Sequence, residues 1–128
     1  LNKYKIIFYL INFCIFFLYL FPGSIYGCVF LDDCSVQPQI TADLPLISSN
    51  HLYAFFVLSV IGYLTYIKKK HINYLIIYLL LISIILEILH LVVPERSFQW
   101  SDLFGNLLAV IIVFSIYNLI KKYEKFKK

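Results

Sequence analysis

An all-helical membrane protein, a bundle of four spans with both termini in the cytoplasm, is the fold class this sequence predicts. Three observations predict it. Of 128 residues, 62% are hydrophobic and only 14% charged, too few for the polar coat of a soluble domain of this size. The hydrophobic residues fall into four long apolar runs. The lysines crowd at one set of run ends and are missing from the other.

The first run covers residues 4–21, broken only by Asn12, with Lys3 and Lys5 just before it. At about 1.5 Å per residue it just spans a hydrocarbon core of roughly 30 Å. It is long for the apolar part of a signal peptide, so a retained helix is expected. Residues 22–50 form the one extended loop. It carries Asp32, Asp33 and Asp43, no Lys or Arg, and the turn formers Pro22, Gly23, Pro38 and Pro45. Cys28 and Cys34 sit in this loop, as a disulfide if it faces an oxidising compartment and as two free thiols otherwise. Cys14 reads as a small hydrophobe within the first span.

The second span covers residues 51–67 and ends at Lys68, Lys69, Lys70 and His71. The third covers 73–93, with Pro94 as terminator. The fourth covers 103–120, entered through Ser101 and Asp102 as cap residues and followed by a basic tail. No repeat or second domain is present. Ten of the eleven basic residues fall on the side of the termini and the Lys68–Lys70 loop, and Arg96 alone falls on the other. The positive-inside rule then places both termini in the cytoplasm, and the lysines against anionic headgroups. Such basic runs are expected to meet lipid, not nucleic acid.

This topology brings five polar side chains to one depth. Glu87 and His90 lie three apart near the outer end of the third span, on one helical face. Asp102 and Asn106 lie four apart at the start of the fourth, and His51 opens the second. Arg96 stands in the short loop above them. An ionisable group inside a span is costly, so it marks a functional site with a partner to be named. For Glu87 the candidates are Arg96, His51 or a proton. A ligand-binding set of Glu87, Arg96, Asp102, Asn106, His51 and His90 is therefore expected. Four have a structural alternative: Glu87 as a satisfied acid, pinned by Arg96 or capping the adjacent hairpin, Asp102 as a cap, Asn106 as an interhelical hydrogen bond, Arg96 as a snorkelling interface residue. Trp100 reads as an interfacial anchor. A single Glu-x-x-His unit falls short of the paired units of carboxylate metal sites, so neither metal nor cofactor is expected. No strained serine elbow, phosphate loop or HExxH is present.

At these positions the chain resembles the VanZ-like family of small bacterial membrane proteins. H-L-Y-A-F-F-V-L from His51, E-I-L-H from Glu87, P-E-R-S-F from Pro94 and D-L-F-G-N-L-L-A from Asp102 follow the family's elements in order. Phe55, His90 and Ala109 stand where the family usually has Tyr, Gln and Gly. The resemblance implies a four-helix bundle in a bacterial cytoplasmic membrane. The family's named member is associated with low-level resistance to the glycopeptide teicoplanin. The expected role is a cell-envelope protein whose outer-leaflet pocket takes a polar lipid or glycan-linked headgroup. The alternatives are a structural or accessory subunit of a larger membrane complex, or an enzyme acting on a lipid-linked substrate with Glu87 or His90 as acid or base.

Overall fold

The computed structural model describes residues 3–67 and 70–127. It is 71% helical, and no strand occurs among the described residues. The elements are α1 (Lys3–Leu20), α2 (Ile25–Phe30), α3 (Ser49–Tyr66), α4 (Ile72–Leu89) and α5 (Trp100–Phe126). Of these, α1, α4 and α5 are long and apolar enough to cross a membrane, which suggests a membrane protein. Their outward faces are greasy: Phe13, Leu10, Ile77, Leu81, Ile111 and Leu119 are all exposed. In water a monomer rarely shows so continuous an apolar surface. Lipid tails as solvent remove the cost.

The fourth long helix, α3, has the same 18-residue length as α1 and α4 but opens on Ser49, Asn50 and His51. It is the centre of the bundle, packed on α5, α1 and α4. Its Phe55 and Leu58 are wholly buried, against Leu79 and Leu86 of α4 and Ala109 and Val110 of α5. Neighbouring helices therefore cover the polar groups that α3 carries, Ser59 and Thr65 among them. The long helices alternate in direction. Thr65 near the end of α3 donates to the Tyr4 carbonyl at the start of α1 (3.0 Å), and Phe8 meets Tyr66 edge-on.

Helix ends depart from the apolar runs in three places. Where a span to Val93 is expected, α4 closes at Leu89, and residues 90–92 tighten into i→i+3 bonds. Pro94 is thus not the terminator, and Glu87 stands in the last turn of its helix instead of a turn and a half below its end. Next, α5 starts at Trp100 with Gln99 as N-cap, so Ser101 and Asp102 lie inside its first turn. It continues to Phe126, because Lys121, Lys122 and Lys125 leave the apolar run without breaking a helix. Last, the 22–50 segment contains α2, started by Ser24, whose hydroxyl accepts from Gly27 N–H at 3.0 Å.

Cys28 of α2 and Cys34 are joined in a disulfide, while Cys14 is a free, exposed thiol. Asp33 accepts from the Ser35 hydroxyl (2.6 Å) and backbone N–H (2.9 Å), and these bonds hold its carboxyl below its ordinary pKa. Lys3, Lys5, Lys70, Lys121, Lys122, Lys125 and Lys127 occupy one end of the molecule, and Arg96 the other. Lys68, Lys69 and Lys128 lie outside the described residues.

The tightest helix contact is between α3 and α5. A Cβ added at Gly105 would come 2.7 Å from the Ser48 carbonyl and 3.2 Å from Leu52 N, both backbone atoms that cannot swing away. At Gly62 the added atom would meet side-chain ends, Leu75 Cδ1 and Phe8 Cε2, both at 3.0 Å. Small residues admit such approach between membrane helices. Gly105→Ala is expected to cost about 1–3 kcal/mol through forced separation of α3 and α5, and Gly62→Ala less. Thermal unfolding in detergent, read by far-UV circular dichroism, checks the order of the two.

Candidate functional site

The polar residues gather at the end of the bundle where α1 and α4 finish and α3 and α5 begin. This end has four helix termini to satisfy, and most of the side chains do so. Arg96 reaches back to α1. Its Nη2 donates to the Leu18 carbonyl at 2.8 Å and its Nε to Phe21 at 3.3 Å. A guanidinium is suited to two acceptors at once and adds a positive charge where the helix dipole is negative. Burial draws the Arg96 pKa down, while Asp102 pulls it back up, and the group stays charged.

Tyr19, in the last turn of α1, binds three other segments. Its carbonyl faces His90 Nε2 at 3.0 Å, and its hydroxyl donates to Asn106 Oδ1 at 2.8 Å. Its ring stacks on His90 with centroids 5.9 Å apart, and meets His51 edge-on at 4.8 Å. Asn106 is fully buried and turns its amide N–H toward the Ser83 carbonyl at 3.4 Å, so it links α1, α4 and α5.

Glu87 is fully buried. Its Oε1 accepts from Gln99 N–H at 2.9 Å, which satisfies the N-terminus of α5. Its Oε2 receives no hydrogen bond and lies 3.2 Å from His90 Nδ1. A carbonyl can only accept, so His90 Nε2 carries a proton on the Tyr19 side. A neutral ring would then point the Nδ1 lone pair at a carboxylate oxygen. His51 and Asp102 are also paired, Nδ1 to Oδ1 at 3.5 Å, and the Ser48 hydroxyl lies 3.1 Å from the same nitrogen. Their side chains keep 13% and 15% of their surface open.

The six residues expected to form a site are thus all at one end, and the structure divides them. Arg96, His90 and Asn106 are bonded to backbone or to Tyr19. His51, Asp102 and Oε2 of Glu87 retain unspent capacity. Arg96 is not the partner of Glu87; His90 is. Asp43 rather than Ser48 serves the start of α3, accepting from Ser49 N–H at 2.8 Å, since Ser48 makes no side-chain cap bond.

These groups border a cleft of about 660 Å³, walled by Tyr19, His51, His90, Arg96 and Asp102 and roofed by residues 35–43 of the loop. The roof is tied down: Asn50 bonds the Pro38 carbonyl and Ile40 N–H, and Thr41 and Tyr53 hydroxyls meet at 2.8 Å. A second groove of about 600 Å³, between α1 and α4, is nearly all apolar. Its Tyr78 hydroxyl is spent on Asn12 Oδ1 at 2.6 Å, so the chemistry lies in the first cleft.

Sequence reasoning missed Tyr19. An aromatic residue in a chain with 19% aromatics gives no local signal, and its partners lie 71 and 87 residues away. No protein-family model, curated protein or solved structure matches the chain.

Removing the Arg96 guanidinium leaves the Leu18 carbonyl of α1 and the Phe21 carbonyl just beyond it without this donor. Arg96→Ala is expected to destabilise the bundle by on the order of 2 kcal/mol, and Arg96→Lys to recover only part of it. The midpoint of thermal unfolding in detergent reads both; a wild-type midpoint for Arg96→Ala rules the clamp out.

Proposed function

We propose that the chain is a four-span, VanZ-like protein of a bacterial cytoplasmic membrane, with both termini inside and the 22–50 loop outside. In this reading its outer cleft receives the polar headgroup of a lipid or lipid-linked glycan. The observation that carries the reading is the cleft itself, with His51, His90, Arg96 and Asp102 in its wall at the end of an otherwise apolar bundle. Its ionisable walls sit at the depth where headgroups meet hydrocarbon. Three of the five Arg96 N–H groups and the small open parts of two side chains, His51 and Asp102, are left for such a ligand.

Several features support the topology. Lysines at one end with a lone arginine at the other fit the positive-inside rule. A disulfide in the loop fits an oxidising exterior. Coverage of α3 by its neighbours lets a helix with a polar start serve as the fourth span. The sequence elements around His51, Glu87, Arg96, Asp102 and Asn106 support the VanZ-like reading, since they meet in one place. An influence on glycopeptide susceptibility would follow from binding a glycan-linked envelope lipid.

Two measurements test this. In intact cells, a membrane-impermeant maleimide is expected to label the protein only after a reductant opens Cys28–Cys34. Labelling that needs permeabilised cells puts the loop inside and overturns the topology. Native mass spectrometry of protein extracted in mild detergent is expected to show a retained lipid adduct, reduced in Asp102→Asn and His51→Gln. A stoichiometric larger protein in its place favours the accessory-subunit role.

A further inference from the structure

The three groups with unspent capacity share one spot. His51 comes from α3, Glu87 from α4 and Asp102 from α5, and one ligand atom of each lies within 4.8 Å of the other two. The geometry points to a divalent metal site of these three side chains, with Zn²⁺ the ion that suits it best. One imidazole and two carboxylates supply only nitrogen and oxygen donors, and three protein ligands leave a position open toward the cleft, as zinc sites with bound water or substrate do. Bonds of about 2.0–2.2 Å place tetrahedral ligand atoms ~3.3 Å apart. The His51 Nδ1 to Asp102 Oδ1 distance of 3.5 Å is already close to that edge. Glu87 needs the larger adjustment.

A second observation points to a ligand independently of the spacing. Glu87 is fully buried and its Oε2 accepts no hydrogen bond. Two carboxylates this close in a low-dielectric site call for positive charge. The surrounding charged and titratable groups supply it only in part. Arg96 gives its hydrogen bonds to the Leu18 and Phe21 carbonyls while its charge acts on both carboxylates, His90 meets Glu87 Oε2 with its ring 6.4 Å from that of His51, and Asp43 and Tyr19 add no cation. A dication would neutralise both carboxylates with all three ligands in their ordinary forms. The next layer is in place: His90 against Glu87 and the Ser48 hydroxyl hydrogen-bonded to Asp102 would hold the ligands in orientation.

The site needs no lipid, so its test is separate from that of headgroup binding. The full chain, purified in detergent without a histidine tag and stripped with a chelator, is titrated with Zn²⁺ against a colorimetric zinc indicator. One equivalent per chain is expected, with a rise in unfolding temperature. Asp102→Asn and His51→Gln should each weaken binding at least tenfold and abolish that rise, while His71→Ala, distant from the site, should change neither. Co²⁺ in place of Zn²⁺ should give the visible absorption of a four-coordinate N/O site, which needs no variant to fold. The proposal fails if the wild type binds no stoichiometric Zn²⁺, if both variants keep their helical circular dichroism and bind as the wild type does, or if the Co²⁺ spectrum is that of the hydrated ion. Loss of Zn²⁺ binding with the lipid adduct intact removes the metal alone.

Discussion

The end of α1 has to be closed before anything else at this face can be arranged. The last carbonyls of a helix have no partner within it, and at the edge of a membrane bundle water is a poor substitute. Leu18 and Phe21 receive Arg96, and Tyr19 receives His90. All three donors come from the turn that joins α4 to α5. That turn is therefore anchored to α1, and its anchoring sets the positions of Glu87 and Gln99. Glu87 in turn closes the start of α5. The polar residues form a reciprocal set of caps, in which one hairpin completes the helix it leans on.

This explains why burial and function separate here. Burying polar or charged groups in a bundle is costly, and half-buried Arg96 and buried His90 offset that cost by bonding backbone that would otherwise be orphaned. His51 and Asp102 have no such assignment and sit partly open on the cleft. A substitution at Arg96 would therefore act mainly on architecture, and one at Asp102 mainly on what the cleft holds.

The helices were legible because an apolar run of this length has few other uses. Their ends were less so. Hydropathy stops at Ile120, yet a backbone continues its hydrogen bonds through lysines without difficulty. It reads on to Val93, yet the chain tightens after Leu89 so that His90 can turn to Tyr19. The short α2 was hidden among turn formers. That the polar residues gather at one end was readable, since alternating helices bring Glu87, His90, Asp102, Asn106 and His51 together there. Their partners were not. Contacts to Leu18, Tyr19 and Phe21 span more than 70 residues, and backbone carbonyls leave no trace in residue type.

The length of α5 has a mechanical consequence. Its 27 residues reach roughly 40 Å, beyond a hydrocarbon core of roughly 30 Å, with Asp102 in the first turn and Lys125 in the last. No proline interrupts it, and its one glycine, Gly105, lies near the cleft end and is wedged against α3. It behaves as a single stiff rod, without a joint at which movement could be absorbed. A tilt of α5 in a thicker or thinner bilayer would therefore move Asp102 together with the lysine-bearing tip.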